Sequence, residues 1–448
     1  MKVTKYTTLA FTMAGCLLLS SCDSFLDIQP VGKVIPNTLS EYRSLLTKAY
    51  QQPFNDRAIC DMRTNDVIIK DDNHEQGVYG EIERWNDGSF KTSTYSFNWE
   101  VYYSIIYYAN AIIDNKSKIK EGSREEIDQL VGEAYFLRGY IHFILVNLYG
   151  EPYGKKGAPQ KKAIPLKLDL DLEAIPTRNT VEEIYTAILD DIAKARTLIN
   201  KETWEERYLY RFSVIAADAF ASRVHLYMGK WEEAYAEAEN ALAKKSSLEN
   251  LNEADSKMPN EYQSVEIINA YEQIQSSSTQ RACWAGEELR KTYDTANDLR
   301  LKKYFGEPNK DGKYSIAKAD GSSKYRCSFR TGEVYLNAAE AAARLNKLPE
   351  ARKRLLQLME KRYTPEGYAQ KKKALDGMQR DELIKEILDE RARELAFEGH
   401  RWFDLRRTTR PKMEKTLENK KFVLQQDDPR YTLRLPVSAT EANPGLLN

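Results

Sequence analysis

Apolar residues recur every three or four positions along several long stretches of the chain, which is the spacing of an amphipathic helix. Three stretches open on the capping-box pattern, in which a hydroxyl residue and a glutamate three positions later satisfy each other's free backbone donors. These pairs are Thr38 with Glu41, Ser123 with Glu126, and Thr180 with Glu183. Short runs such as residues 265–270 predict strands, but no alternating pattern is long enough for a large sheet. The pattern predicts a mainly α fold with a few short strands.

Two segments share one design, in which an alanine-rich helix, a tight turn and a second helix follow one another. The first begins at a predicted Ser213 cap, turns at Gly229 and opens its second helix at Trp231. The second covers residues 334–358 and aligns Asn346 with Gly229. Small residues let two helices pack closely, and neighbouring pairs then bury each other's apolar faces. The alignment resembles tetratricopeptide repeats; with residues 123–200 as a more divergent unit, we expect about four helix pairs.

Segments without a helical period interrupt these repeats at residues 53–94, 151–178, 246–282 and 308–327. Helical repeat proteins usually place their binding surface on such irregular insertions. Tyrosine is abundant in the chain, and exposed tyrosine or tryptophan rings can stack on the apolar faces of sugars. Polar groups must accompany the rings, because stacking alone does not distinguish one sugar from another. The candidate ligand-binding residues in or beside the insertions are the aromatic Tyr79, Trp85, Tyr95, Tyr271 and Trp284 and the polar Asp66 and Asn73.

The last long helix is predicted to begin near Asp381 and to continue through Trp402 with one apolar stripe. Asp389 and Arg393 have the spacing of an ion pair on this helix. Trp402 is assigned to the core together with two tryptophans in other helical patterns, Trp99 and Trp231.

Glu398, His400 and Asp404 raise the question of a metal site. The chain has only four histidines, none at HExxH spacing, and the interleaved Arg401 and Arg406 offer the carboxylates nearer partners. We therefore interpret residues 398–407 as a network that locks the last helix into the body, and we predict no metal.

The first 21 residues have the composition of an export signal. Lys2 and Lys5 precede an apolar run at residues 9–19, and two serines then lead to Cys22. A cysteine directly after a pair of small residues is typical of a lipoprotein. We predict a signal peptide over residues 1–21 and acylation of Cys22. An ordinary signal peptide with a chance cysteine would still export the protein.

No later stretch reaches the roughly 18 uninterrupted apolar residues of a membrane span. The protein is therefore predicted to be anchored to a membrane by its lipid and not to span it.

Three further cysteines, Cys60, Cys283 and Cys327, are scattered along the sequence without a CxxC pair. An odd number in an exported protein allows at most one disulfide, and we assign all three to packing.

Lysine plus arginine and aspartate plus glutamate number 67 each, so no broad basic field exists to collect phosphates. Nucleic acid is therefore not an expected partner. The chain has no GxSxG nucleophile elbow, GxxxxGK[ST] phosphate loop or GxGxxG fingerprint, and we predict neither an enzyme nor a cofactor. A glycoside hydrolase, which needs two facing carboxylates, is the enzyme alternative that the many acidic residues leave open.

Several motifs resemble the SusD/RagB family of Bacteroidetes. The most specific lies at residues 390–407, and similar motifs occur at residues 22–30, 99–110, 134–150, 435–436 and 443–445. The resemblance extends over the entire chain. Ser21 departs from the Gly or Ala that is commoner before the lipid-bearing cysteine, and Asp23 follows that cysteine.

The resemblance implies one domain over residues 22–448, built on a tetratricopeptide-type scaffold. It also implies a surface-exposed outer-membrane lipoprotein that acts as a lid on a SusC-like TonB-dependent transporter. Most family members bind oligosaccharides and some bind peptides. We therefore expect a protein that captures an oligosaccharide or polysaccharide for its transporter. The alternatives are a peptide-binding protein and a scaffold or lid without a ligand specificity of its own.

Overall fold

The structure is a computed structural model that describes residues 36–87, 94–171, 173–417 and 419–447. The predicted signal peptide and Cys22 lie outside these residues. The helices are α1 Leu39–Tyr50, α2 Asp56–Asp61, α3 Asn73–Glu83, α4 Trp99–Asp114, α5 Arg124–Tyr149, α6 Val181–Leu198, α7 Val214–Met228, α8 Trp231–Lys244, α9 Ser277–Ala282, α10 Glu287–Arg290, α11 Arg300–Tyr304, α12 Thr331–Arg344, α13 Leu348–Met359, α14 Pro365–Asp376, α15 Arg380–Glu394, α16 Arg401–Arg407 and α17 Val437–Ala442.

The strands are short and pair two by two, each pair antiparallel. They are β1 Val67–Ile69 with β3 Cys283–Ala285, β2 Ile267–Asn269 with β6 Phe329–Arg330, β4 Phe305–Pro308 with β5 Tyr314–Ile316, and β7 Met413–Leu417 with β8 Lys420–Leu424. The mainly α fold with few short strands is confirmed, and the strand predicted within residues 265–270 is β2.

Local capping signals correctly predict where helices begin. All three capping boxes form, at the starts of α1, α5 and α6; at α5, for example, the Glu126 amide donates to Ser123 Oγ over 3.2 Å while the Ser123 amide donates to the Glu126 carboxylate over 2.8 Å. Ser213 likewise caps α7 through the Ala216 amide. Each cap satisfies backbone donors that the first helical turn leaves free.

The two aligned repeats form helix pairs, α7 with α8 and α12 with α13. Gly229 and Asn346 occupy the same left-handed backbone region, with φ of 74° and 62°. The amides around both residues make the same bonds: Gly229 donates three residues back and Lys230 five, and Asn346 and Lys347 do likewise. Glycine and asparagine tolerate this conformation best, which is why they align. Helices α5 and α6 form the more divergent pair, and α12 also packs on α8 and α15.

Most buried side chains belong to one cluster between these helix pairs, in which Phe136 stacks on Phe212 with ring centroids 3.8 Å apart. A second cluster lies under the insertions and includes Val67, Tyr79 and Phe397. Cys60, Cys283 and Cys327 are buried and free, as their assignment to packing requires. Trp402 is buried, whereas Trp99 and Trp231 are half-buried against core residues.

The prediction that residues 53–94 lack a helical period is wrong, because this segment contains the helices α2 and α3, with the short strand β1 between them. Asp72 caps α3 through the Glu75 amide, and Tyr79 and Ile82 face the second cluster. The polar start of α3 and the glycines at positions 77 and 80 obscure the apolar spacing in the sequence.

The prediction of one continuous last helix is also wrong. Helix α15 ends at Glu394, the backbone reverses at Phe397 and Gly399 with φ of 64° and 70°, and α16 begins at Arg401. A Cβ on Gly399 would lie 2.8 Å from Arg57 Cβ, so only glycine permits this close approach. The predicted pair of Asp389 with Arg393 does not form: Asp389 binds Lys385 over 2.6 Å and Arg393 binds Glu390 over 2.8 Å.

The network predicted at residues 398–407 is present with different partners. Glu398 accepts from Arg330 over 2.7 Å and 2.9 Å, and Asp404 accepts from Arg391 over 2.7 Å and from Arg407 over 2.9 Å. The guanidinium of Arg406 instead donates to three backbone carbonyls, those of Asn147, Gly150 and Tyr431.

The pair of Glu398 with Arg330 belongs to a larger group of buried ion pairs, which we call the arginine network. At its centre Glu394 binds Arg330 over 2.7 Å, Arg362 over 2.9 Å and Arg300 over 3.0 Å. The other members are Glu266, Asp298, Lys318, Glu390 and Glu398. Its members come from α11, β6 and α15, from the segments between these elements, and from positions beside β2, before α11 and after α15. The network therefore ties distant parts of the chain together.

No helix within the described residues has both the length and the apolar composition that crossing a membrane requires.

Candidate functional site

Three of the predicted aromatic residues meet at one cavity of about 350 Å³, which we call the aromatic cavity. Tyr79 reaches it from α3, Tyr95 from the segment before α4, and Tyr271 from the segment after β2. The remaining described residues of its wall are Tyr50, Gln51, Gln52, Pro53, Phe54, Asn55, Asn98, Glu272, Gln273, Ser276, Ser278 and Arg326. Two separate insertions and the end of a third therefore supply one concave surface of rings and amides.

A buried carboxylate fixes one side of this cavity. Asp56 accepts a hydrogen bond from the Tyr95 hydroxyl over 2.6 Å, from the Asn98 side chain over 2.8 Å and from the Asn98 amide over 2.9 Å. Burial raises the pKa of Asp56, and burial together with the Asp56 charge raises the pKa of Tyr95. The half-buried Tyr95 ring lies 5.9 Å from the Tyr79 ring. These bonds hold the Tyr95 ring in one orientation, which favours ligand binding because little side-chain freedom remains to be lost.

Tyr271 lies at the bottom of the cavity wall, with its ring edge-on to Tyr50 at 5.4 Å and to Phe54 at 5.6 Å. Its hydroxyl is buried and has no hydrogen-bond partner in the part of the chain that the structure describes. Burial raises the pKa of this hydroxyl well above its ordinary value, so it remains a neutral donor. A buried polar group without a partner costs about 1–3 kcal/mol of folding free energy. The Tyr271 ring therefore shapes the cavity wall, while its hydroxyl lies out of reach of solvent.

Further donors and acceptors lie in the wall. The Gln52 side chain makes no hydrogen bond, and the half-buried Arg326 makes no ion pair, among the described residues. Glu272, by contrast, is already bound by Arg57 over 2.7 Å and by the Tyr140 hydroxyl. The cavity therefore offers rings, neutral amides and one unpaired guanidinium, a set that suits a polar ligand with hydroxyl or carbonyl oxygens.

Two predicted tryptophans lie outside this cavity. Trp85 is only 1% exposed, and its indole donates to the Arg63 carbonyl over 2.8 Å, so both its faces are used for packing. Trp284, on β3, is half-buried with the Lys70 ammonium 4.3 Å from its ring centroid. Neither ring lines the wall that Tyr79, Tyr95 and Tyr271 form.

The two predicted polar residues also lie elsewhere. Asp66 is buried beside Arg401, at 3.5 Å, on the wall of a different cavity. Asn73 is the exposed first residue of α3.

Sequence reasoning missed Gln52, Asn98, Gln273 and Arg326. Gln52 and Asn98 flank predicted helices, while Gln273 and Arg326 lie inside two of the predicted insertions. An amide or a guanidinium at such positions has no periodic signal. The available clue is their position, because Asn98 directly precedes α4 and Gln52 directly follows the first turn after α1.

Comparison with protein families gives two adjoining matches. Residues 24–226 match a SusD-like family model described as starch-binding associating with outer membrane, and residues 230–442 match the SusD family model. SusD-like protein P2 of Formosa agariphila is 23% identical, over 90% of this chain and 89% of that protein. SusD-like protein P38 of the same organism is 26% identical over 52% of this chain, and that match spans 45% of P38.

Solved structures share the fold along almost the full chain. A SusD superfamily protein of Bacteroides thetaiotaomicron superposes with a TM-score of 0.75 at 21% identity, covering 91% of this chain and 99% of the other. A SusD-like carbohydrate binding protein of Bacteroides vulgatus superposes with a TM-score of 0.68 at 19% identity, covering 92% and 97%. At these identities the likeness concerns the fold. With the two family matches, it shows that the chain belongs to the SusD family, whose members are binding proteins associated with the outer membrane.

Proposed function

We propose that this protein binds an oligosaccharide or polysaccharide at the cell surface and delivers it to a SusC-like TonB-dependent transporter. The observation that carries the proposal is the aromatic cavity. There Tyr79 and Tyr95, from the first insertion and its edge, converge with Tyr271 from the third insertion and with unpaired polar groups. Tyrosine rings can cover the apolar face of a sugar, while amides and hydroxyls bind its hydroxyl groups. Family membership and the carbohydrate-binding description of the Bacteroides vulgatus neighbour support the same ligand class.

Delivery requires attachment to the outer membrane. We propose that residues 1–21 are removed as a signal peptide, that Cys22 carries the lipid, and that residues 22–448 act as one domain. The sequence before the described residues supports this proposal, with its apolar run and the serine pair that precedes Cys22.

The cavity supports binding rather than catalysis. Glycoside hydrolysis uses two carboxylates on either side of the scissile bond. Glu272 is the one carboxylate among the described residues of the wall, and Arg57 and Tyr140 already bind it. We therefore propose that the protein releases no product from the glycan that it captures.

The test is binding of the purified chain, beginning after Cys22, to a panel of neutral and acidic polysaccharides and of peptides, measured by calorimetry. Replacing Gln52→Ala and Arg326→Gln together removes two unpaired groups of the wall, and we expect affinity for the bound glycan to fall about tenfold or more. Gln370→Ala with Arg207→Gln, both exposed and outside the cavity wall, is the matched control and should bind as the parent does.

Three outcomes would contradict the proposal. Binding of peptides alone would identify a peptide-capturing protein. No binding to any ligand, combined with full uptake in cells that carry the cavity variant, would identify a lid or scaffold. Binding of the glycan by the cavity variant with the affinity of the parent would place the site elsewhere.

A further inference from the structure

A second and larger cleft, of about 720 Å³, lies between the segment that follows α5 and the last 40 residues of the described chain. Its floor includes Tyr149 and Tyr431, and its apolar wall includes Pro152, Leu433 and Leu435. No residue of this cleft is shared with the aromatic cavity. The two are therefore separate concave surfaces of the described structure.

The cleft is strongly basic. Six of the described residues that line it are cationic and two are carboxylates, although the whole chain has equal numbers of each. The cations are Lys155, Lys161, Lys162, Arg178, Arg410 and Arg434, and the carboxylates are Glu151 and Asp428. We call this surface the basic cleft.

Its carboxylates are already engaged. Glu151 binds Lys155 over 2.8 Å, and Arg430 binds both oxygens of Asp428 over 2.9 Å and 2.7 Å. The Arg430 guanidinium lowers the pKa of Asp428 to about 2. Arg410 binds Asp427, which lies outside the cleft wall, and Lys155 is occupied by Glu151. The positive charge that is available to a ligand is therefore that of Lys161, Lys162 and Arg434.

Several groups in the cleft have no partner of their own. Lys161 and Arg434 are exposed and make no ion pair among the described residues. Tyr149 is 5% exposed, and its hydroxyl has no hydrogen-bond partner in the described part of the chain. Like charges gathered in a cleft repel one another, and a bound anion relieves that repulsion.

We propose that the basic cleft binds the carboxylate or sulfate groups of an acidic polysaccharide. The choice of a polysaccharide rests on the proposed function. The mixture of cations with apolar surface supports it, because a charged sugar presents both an anion and an apolar ring face. The protein then has two binding surfaces on one chain, of which the aromatic cavity contacts sugar rings and the basic cleft contacts their acidic groups.

The experiment uses the soluble chain and four probes: polygalacturonate, a sulfated dextran, neutral dextran of the same length, and single-stranded oligothymidylate. Lys161→Gln with Arg434→Gln removes two exposed cations of the cleft. Lys372→Gln with Lys373→Gln removes two exposed cations of α14 and is the control. Unchanged thermal unfolding of both variants checks that they fold.

We expect an acidic glycan to bind, and its affinity to fall about tenfold in the cleft variant and not in the control. The dependence of affinity on salt concentration should also become less steep, because fewer counter-ions are released when fewer cations bind the polymer. Neutral dextran should bind both variants as it binds the parent.

Equal affinity of the parent and the cleft variant for both acidic glycans would overturn this inference, and so would tighter binding of oligothymidylate than of either. The proposed function would still hold after either result on one condition. A neutral glycan must still bind, and the Gln52→Ala, Arg326→Gln variant must bind it more weakly. Loss of binding to every glycan in that cavity variant alone, with acidic probes unaffected in the cleft variant, would assign all ligand contact to the aromatic cavity.

Discussion

The arginine network and the aromatic cavity both bury polar groups, but they satisfy them to different degrees. Every carboxylate oxygen of Glu394 in the network has an arginine partner within 3.0 Å. In the cavity, the Tyr271 hydroxyl has no partner among the described residues, and Arg326 and Gln52 are unpaired. Fully paired buried groups hold a fold in one arrangement, whereas a buried group without a partner reduces stability. Half-buried unpaired groups such as Gln52 and Arg326 remain available to a ligand.

The largest effect should come from breaking the network at its centre. Glu394→Gln removes the charge that three buried arginines share, and we expect the free energy of unfolding to fall by about 3–5 kcal/mol. Urea denaturation monitored by circular dichroism measures this. Glu441→Gln, at an exposed position on α17, should change it by less than about 0.5 kcal/mol. A similar small change at both positions would show that the network does not stabilise the fold.

The second-largest effect should come from acid, which weakens the arginine network. The Arg300 and Arg393 charges lower the pKa of Glu390 from 4.5 to about 2 despite its burial. The unfolded chain therefore takes up a proton on this residue at a higher pH than the folded chain does, and stability present above pH 4.5 is lost as the pH falls towards 2. The stability difference between the parent and Glu390→Gln should be constant from pH 7 to 5 and shrink below pH 4.5. A difference that grows with acid would contradict this assignment.

A smaller loss of stability is expected at Tyr140, a buried tyrosine whose hydroxyl, unlike that of Tyr271, has a partner. The Tyr140 hydroxyl donates to Glu272 beside Arg57, so Tyr140→Phe leaves that carboxylate with one partner fewer. We expect the free energy of unfolding to fall by about 1–2 kcal/mol. Thermal and urea unfolding of the two proteins check this value.

The smallest effect should have the opposite sign. Tyr271→Phe removes a buried hydroxyl that has no described partner, so the free protein should gain up to about 1 kcal/mol of stability. The ring that lines the cavity is kept, and affinity for the glycan should equal that of the parent. Unfolding curves measured with and without the glycan test both expectations. Loss of stability equal to that of Tyr140→Phe would show that the Tyr271 hydroxyl has a partner in the core.

The sequence predicted the fold well where the determinants are local. The caps at Thr38, Ser123 and Thr180 and the turn at Gly229 depend on residues within five positions of one another. The last helix failed for the opposite reason: its apolar spacing continues through residue 402, but Gly399 must lie against Arg57, which is 342 residues away in sequence. A contact at that separation produces no periodic pattern in the sequence.

The candidate site was predictable in part. Irregular insertions rich in aromatic residues indicated Tyr79, Tyr95 and Tyr271, and the structure brings these three together. The same reasoning selected Trp85, which the structure buries, because composition does not tell whether a ring faces solvent or the Arg63 carbonyl. Arg326 gave no signal, since one arginine in a loop resembles any other.

By itself, the sequence determined the helical class, the helix starts, the repeated turn and the family, because capping, periodicity and motif spacing act over a few residues. Tertiary structure alone decided which aromatic residues share a cavity, which buried carboxylates meet arginines, and where cations gather into a cleft. These properties depend on the directions in which distant side chains point after packing. That direction is set by the whole core and not by neighbours along the chain.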